Sequence, residues 1–382
     1  MKKILFVIPS MEFGGTRSSL VNLLHNLRDA NLNVDLFIIR HEGILLSQMP
    51  QYVHILPEVK MAAFAMPNTK RNSVLSVLYH LVIALLNRIY GYKSVYRFIY
   101  KVWGGDLFQI GSNYDAVIAY QEGVSVYTSS LIPADKHIIW IHSDVDKWYD
   151  KRAFEKDAFD NANNIIFVAE NTKKLFCDKF PQYASKCRII KNTLNKEAIF
   201  EKANVPMTED SEEGLSLLSI GRFTEAKAFD RVILASEHLK SKGYKFTWTL
   251  LGDGELFSSM KQMAVEHHVD DVIRFMGAQS NPFAYIKNSD VVVVSSVNES
   301  QPMVILESLT LSKPVVSTGF ESAKEVLQNG EYGLICQNDT DEFIAAVESM
   351  FTDPSILEDL RKSAAAYEYD NRSIVNQLID IL

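Results

Sequence analysis

The sequence predicts an α/β protein built from two doubly wound parallel sheets, each in its own unit. Three observations point there. The chain has 382 residues, and single hydrophobic cores stop growing near ~250–300. Short apolar runs alternate with helical stripes, the pattern of parallel strands covered by helices on both faces. The alternation stops at a polar, acidic stretch, 195–214, and then restarts.

The first run, 4–8, has the continuous apolar character of a buried parallel strand. Gly14 and Gly15 follow, then a helical stripe over 16–27 with apolar residues at 20, 21, 23, 24 and 27. Strand patterns recur at 34–39, 116–120, 136–141, 164–168 and 188–191. The stretch NKEAIFEKANVPMTEDSEEG at 195–214 reads as a linker. Beyond it, strands at 215–220, 246–251, 272–276, 291–295 and 314–318 alternate with helices at 230–240, 256–267, 283–287 and 302–311. Helices at 341–350 and 354–369 and an amphipathic piece at 374–382 complete the chain. The expected division is a first unit at 1–194 with a basic, aromatic helical insertion at 45–110, a linker at 195–214, and a second unit at 215–365. The last helix, within 366–382, is expected to pack back on the first unit. Two such units in tandem are expected to face a central cleft, and open parallel sheets bind ligands beyond the carboxyl ends of their strands.

Composition removes several classes. Hydrophobic residues make up 47% and charged residues 23%, which excludes a disordered or fibrous chain. Three cysteines without CxxC spacing give neither a disulfide framework nor a zinc cage, and they suit a reducing compartment. The start, MKKILFVIPS, reads as a first strand rather than a signal peptide. The longest apolar stretch, 74–86, is too short for a bilayer, which takes ~20 residues. The formal charge of −8 is unevenly divided. Residues 1–200 carry 24 Lys and Arg against 18 Asp and Glu, whereas 201–382 carry 15 against 29.

Candidate chemistry lies at the strand ends. After the strand at 215–220 come Gly221, Arg222 and Lys227, two cations ahead of a helix N-terminus, a combination that suits an anion. Taken alone, they equally suit two solvated surface charges. After the strand at 291–295 come Glu299, Gln301 and Pro302. Pro302 fits the first turn of a helix, where its missing N–H costs nothing. Glu307 then falls in that helix among Ile305, Leu306 and Leu309, so burial would oblige it to find a partner. Gly14 and Gly15 offer backbone amides before the first helix, and a plain turn is as good a reading. His142 directly follows an apolar strand, where an imidazole can exchange protons or donate to a ligand oxygen near neutral pH. Gly252-Asp253-Gly254 lacks the third glycine of a dinucleotide fingerprint, which argues against an NAD enzyme.

These pieces together carry a resemblance. GRFTEAKAFDRVILA at 221, LLGDGELFSSM at 250, the stretch from IRFMG at 273 to VVST at 318, and EVLQNGEYGLI at 325 resemble the retaining glycosyltransferases of family 4, with their two-Rossmann GT-B architecture. The Glu-x7-Glu pair, Glu299 and Glu307, is the hallmark of that family. The first half is similar more loosely, through FVIPSMEFGGTRSSLVNLLHNL, IIWIHSD, FVAENTKKLF and IIKNTLN. The resemblance implies a nucleotide-sugar donor, with UDP the favoured base, and no cofactor or metal. It implies that Arg222 and Lys227 neutralise the diphosphate and that Glu307 binds the ribose. Glu299 and the backbone of Gln301, Pro302, Met303 and Val304 would face the donor sugar and phosphates. Gly14, Gly15 and His142 would lie on the acceptor side, with the Gly15 amide also near the diphosphate, and Asn192 would close the first domain. Catalysis would rest on His142, Arg222, Lys227 and Glu299.

The chain departs from the family pattern at Ser300, Ala228 and Thr193, where glycine is usual. The resemblance implies transfer of a hexosyl or N-acetylhexosaminyl group, with retention, to a lipid-linked cell-surface glycan. A GT-B epimerase or phosphorylase and a non-catalytic sugar-nucleotide-binding subunit are the alternatives. Residues 59–105 contain no Asp or Glu, seven Lys and Arg, and interleaved aromatics. Such a stretch suits an anionic membrane surface, so the expected location is the cytoplasm, peripheral on the inner face of the plasma membrane. No nucleic-acid partner is expected, since the chain is acidic and shows no binding module.

Overall fold

A computed structural model describes residues 1–12, 14–59, 81, 82, 85, 88, 89, 110, 111, 113–149, 156–207 and 213–382. The chain divides into two compact units. One contains 1–194 together with 371–382, and the other contains 195–370. Most of the insertion expected at 45–110, and nearly all of the basic stretch 59–105, lies outside the described residues.

The first unit runs β1 (Lys2–Ile8), α1 (Gly15–Asn26), β2 (Leu32–Ile38), β3 (His54–Ile55), β4 (Tyr114–Ala119), α2 (Val124–Ser129), β5 (Ala134–Ile141), α3 (Val145–Trp148), α4 (Lys156–Asn161), β6 (Asn164–Phe167), α5 (Glu170–Lys179) and β7 (Cys187–Ile189). Among the described residues its seven strands lie in the order β3-β2-β1-β4-β5-β6-β7, and their pairings are parallel. The strands are apolar on both faces because helices cover both. Ile4, Leu5, Phe6, Val7 and Ile8 of β1 have no exposed surface. The chain winds from β1 outward to β3, then returns to β4 on the other side of β1. The topological switch point, where a crevice opens at the strand ends, is thus between β1 and β4.

The second unit runs α6 (Lys196–Ala203), β8 (Leu215–Ile220), α7 (Phe229–Ser241), β9 (Phe246–Leu251), α8 (Phe257–Glu266), β10 (Ile273–Gly277), α9 (Pro282–Asn288), β11 (Val291–Val294), α10 (Met303–Thr310), β12 (Val315–Thr318), α11 (Glu321–Val326), β13 (Leu334–Cys336), α12 (Thr340–Thr352) and α13 (Pro354–Ala365). The order β10-β9-β8-β11-β12-β13 puts its switch point between β8 and β11. Trp248, Phe223, Phe343 and Val347 lie in the core beneath the sheet. The final helix, α14 (Asn371–Ile381), belongs to the first unit and packs on α1. Leu194 and Asn371 are tied there, with the Leu194 N–H donating to Asn371 Oδ1 at 2.9 Å and Asn371 Nδ2 donating to the Leu194 carbonyl at 2.7 Å. Lys136 Nζ caps the end of α14 by donating to the carbonyls of Ile381 and Leu382.

One stretch departs from the sequence reading. The segment read as a linker at 195–214 contains α6. Asn195 caps that helix by accepting from the Ala198 N–H at 3.1 Å, and Ile199 and Ala203 are buried. Only those two of its residues are buried, so its acidic, lysine-rich surface hid the helical stripe. The short strands β3 and β13 have too few residues to display a pattern of their own.

Candidate functional site

In the second unit the loop after β8 carries Arg222 and Lys227, and glycine governs its shape. A Cβ on Gly221 would lie 3.1 Å from Lys227 Cδ and Cε, so the lysine stem rests against bare backbone. Gly252 and Gly254 serve the same loop. A Cβ on Gly252 would come within 1.8 Å of the Gly221 carbonyl, and one on Gly254 within 2.5 Å of the Phe223 carbonyl. The Phe223 N–H donates to Asp253 O at 3.1 Å. The Gly-Asp-Gly sequence is therefore a packing device under the Arg222 loop. Ala228, where the resemblance leads one to expect glycine, adopts the left-handed conformation (φ 47°, ψ 50°) at the turn into α7.

The loop after β11 carries Glu299. Its carboxylate sits 2.7 Å from Lys227 Nζ, with both side chains largely shielded at 14% and 22% exposure. Serines brace this pair. Ser296 Oγ donates to Glu299 Oε1 at 2.7 Å, and Ser322 Oγ to the Glu299 carbonyl at 2.6 Å. Ser295 Oγ donates to the Lys227 carbonyl at 2.7 Å, and the Val297 N–H to the Ala226 carbonyl at 2.9 Å. Arg231 Nη1 donates to the Ser295 carbonyl and to Asn338 Oδ1, while Asn338 Nδ2 donates to the Val297 carbonyl. Arg222, at the start of the same loop as Lys227, is exposed. With Glu299 offsetting one cation, the three groups carry a net charge of +1. An ammonium has three protons, so Lys227 keeps donors beyond the one directed at Glu299.

Pro302 lies just before α10, and no side chain caps that helix, so its positive dipole end meets the loop. Gln301 Nε2 donates to the Tyr369 hydroxyl at 3.2 Å. Val304 is buried and Met303 is half-buried. Glu307 keeps partial exposure, yet the protein around its carboxyl pushes its pKa up to about 8, a rise opposed by the charge of Lys202 on α6. Glu299 lies in the loop and Glu307 in the helix, so the two acids belong to different elements.

In the first unit the corresponding strand ends carry a different set. Gly15 opens α1, and a Cβ there would meet no atom within 4 Å. A Cβ on Gly14 would lie 3.5 Å from Arg17 Nη1. His142 follows β5, is 9% exposed, and stacks on Trp140 (6.1 Å) and against Tyr120 (4.7 Å). Burial, then the charge of Arg17, lowers its pKa to about 3. This corrects the expectation of proton exchange near neutral pH: the ring is a neutral donor and acceptor there. Its Nε2 is buried without a hydrogen-bond partner among the described residues. Asn192 accepts from Ser19 Oγ at 2.6 Å, and Ser19 also bonds the Tyr120 hydroxyl at 2.6 Å. That network ties α1 to β4 and the end of β7.

Two residues here escaped the sequence reading, Arg17 and Glu122. Glu122 follows β4 and accepts from Ser143 Oγ and from the His142 N–H. Burial raises its pKa against the pull of those donors and of Arg17. Glu122 comes after an apolar strand, as His142 does, but before Gly123, a position that reads as a surface turn. Among the described residues no group of three or more His, Cys, Asp or Glu could hold a metal ion, and no helix is long and apolar enough to cross a membrane.

Comparisons with known proteins bear on this arrangement. Residues 201–367 match the family model described as "Glycosyl transferases group 1". The lipopolysaccharide core biosynthesis glycosyltransferase LpsE of Rhizobium meliloti is 36% identical over 141 residues, 37% of this chain and 40% of that protein. The N-acetylgalactosamine-N,N'-diacetylbacillosaminyl-diphospho-undecaprenol 4-alpha-N-acetylgalactosaminyltransferase of Campylobacter jejuni is 26% identical over 181 residues, 47% of this chain and 48% of that protein. The chain spans less than two thirds of the length of the curated relatives it matches. In structure, Anabaena Alr3699/HepE in complex with UDP-glucose is similar with a TM-score of 0.69 at 16% identity, covering 100% of this chain and 99% of that one. That likeness shows the fold, the two parallel-sheet α/β units of GT-B glycosyltransferases.

Proposed function

We propose, from the match of residues 201–367 to the family model described as "Glycosyl transferases group 1", that this chain moves a sugar from a UDP-sugar to a hydroxyl of a lipid-linked cell-surface glycan, with retention. The observation that carries the reading is the Lys227–Glu299 pair at 2.7 Å, at the switch point of the second unit, in the loop after β8 that also carries Arg222. Breaking a sugar–diphosphate bond leaves negative charge on the diphosphate. Preorganised cations stabilise that charge as it develops. Arg222 and Lys227 take this role, and the reaction needs no metal ion. Glu299 holds Lys227 in position and, with the backbone N–H groups of Gln301, Met303 and Val304, faces the donor sugar and phosphates. Glu307 binds the ribose. On the acceptor side, Gly14 and Gly15 offer backbone amides and His142 a neutral imidazole. The acceptor hydroxyl attacks from the side the diphosphate leaves, and the departing phosphate takes its proton.

UDP is supported by the UDP-glucose complex of the structural neighbour, and a lipid-linked glycan by the names of the two relatives. Attachment to the inner face of an anionic membrane is supported by the acid-free, basic stretch 59–105, in which Leu81, Val82, Leu85 and Ile89 are exposed. The test is release of nucleoside diphosphate from a panel of UDP-, GDP- and ADP-sugars, in EDTA, with and without an extract of lipid-linked glycans. Extract-dependent UDP release with an α-linked product from an α-linked donor is expected. No release from any donor would sink the reading.

A further inference from the structure

The loop between β11 and α10 is held at both of its ends, by different parts of the second unit. Its first half is tied down around the Lys227–Glu299 pair. The Val297 N–H donates to the Ala226 carbonyl, Asn338 Nδ2 to the Val297 carbonyl, and Ser322 Oγ to the Glu299 carbonyl. Its second half, 300–302, runs into α10, a helix that no side chain caps. The first N–H groups of a helix have no partner within it, so their direction follows from how the chain enters the first turn. Gln301 bears on that entry, because its Nε2 donates to the Tyr369 hydroxyl at 3.2 Å.

Tyr369 stands 68 residues further along the chain, after α13 and just before Asn371, where α14 begins. Its ring is half-buried. It stacks on Tyr367 at 6.5 Å, and Tyr367 in turn meets Tyr332 edge-on at 5.0 Å. Aromatic pairs of this kind have preferred geometries, so the three rings place the Tyr369 hydroxyl independently of the loop. Burial raises its pKa, so the oxygen that receives the Gln301 amide is a neutral phenol rather than a phenolate. A fixed acceptor at this place restricts the Gln301 side chain, and through it the backbone at 300–302. We propose that Tyr369 is a positioning residue, which through Gln301 directs the backbone N–H groups of Gln301, Met303 and Val304 toward the donor diphosphate. The role rests on the donor reading above.

Calorimetric titration of the full chain with UDP and with uridine tests it, on wild type, Tyr369→Phe, Gln301→Ala and the double variant. Tyr369→Phe keeps the ring and its stacking and removes the accepting oxygen. Its Kd for UDP should rise about three- to tenfold, the scale of one neutral hydrogen bond. Its Kd for uridine, which has no diphosphate, should be unchanged. Gln301→Ala should weaken UDP to the same extent and the double variant no further, since the two side chains act through one contact. Three results would overturn the positioning role: UDP affinity at the wild-type level in Tyr369→Phe, equal losses for UDP and uridine, or additive losses in the double variant. No UDP binding by the wild type would overturn the donor reading, and this role with it.

Discussion

The two switch points share one topology and differ in electrostatics. In the second unit the strand ends present full charges, Lys227 and Glu299 paired at 2.7 Å, with Arg222 in the same loop as Lys227. In the first unit burial works against ionisation at two groups, lowering the pKa of His142 to about 3 and raising that of Glu122, with the charge of Arg17 acting on both. The difference teaches what each sheet is suited to meet. Fixed cations suit a diphosphate that gains negative charge as it leaves. Neutral, oriented donors and acceptors suit hydroxyl groups, which need hydrogen bonds rather than counter-charge.

The contrast can be broken most forcibly from the charged side. Arg222→Ala and Lys227→Ala should each lower turnover of the donor by about 10²-fold or more, the scale of losing one electrostatic stabiliser, read by release of UDP. His142 gives the opposite test. Its ring signals should not shift between pH 5 and 8, since its pKa lies at about 3, and a titration in that range would remove the neutral character assigned to the first unit. Next in size is the network behind it. Ser19→Ala removes a hydroxyl bonded to both Tyr120 and Asn192, and should cost about 1–3 kcal/mol of stability in urea unfolding while sparing UDP affinity.

Glu307 sharpens the comparison through pH. Its pKa of about 8 keeps it mostly protonated at neutrality, whereas a carboxylate is the better acceptor for ribose hydroxyls. UDP affinity should therefore rise with pH from 6.5 through about 8.5, by up to about tenfold, and Glu307→Gln should flatten the curve. For folding the sign is opposite. A carboxyl whose native pKa is raised from 4.5 to about 8 stabilises the fold below the lower value, and that contribution is lost as pH rises through the higher one. The smallest effect is at Ala228, an L-residue at φ 47°. The left-handed region costs such a residue roughly 1–2 kcal/mol, and glycine loses about 0.4–1 kcal/mol of that gain through unfolded-chain entropy. Ala228→Gly should stabilise by about 0.5–1 kcal/mol in thermal unfolding.

The charged site was the more legible in sequence for the same physical reason. Arg222, Lys227 and Glu299 are charged residues just after strands and Glu307 an acid within an apolar helix, where charged residues stand out in the sequence against apolar runs. The strands of both sheets were legible because a parallel strand buried on both faces is a continuous apolar run, as at 4–8 and 215–220. The first unit's site was half hidden. His142 stood out, but Arg17 lies in a serine-rich helix start and Glu122 precedes a glycine, so both read as surface residues. What decides their role is burial by other elements, a tertiary property. The helix at Lys196–Ala203 was missed on similar grounds, since its two buried residues sit in a polar surface. Glycines were legible in position but not in purpose: Gly252 and Gly254 bear on the backbone at 221–223 rather than on a ligand.

The central claim is that the second unit's cations hold a diphosphate. Calorimetric titration of UDP and of uridine, on wild type and on the Arg222→Ala/Lys227→Ala double variant, tests it most directly. Charge-assisted hydrogen bonds contribute roughly 1.5–3 kcal/mol each. Wild type should therefore bind UDP at least about 10²-fold more tightly than uridine, and the ratio should collapse towards one in the double variant. A ratio that survives the loss of both cations would contradict the account.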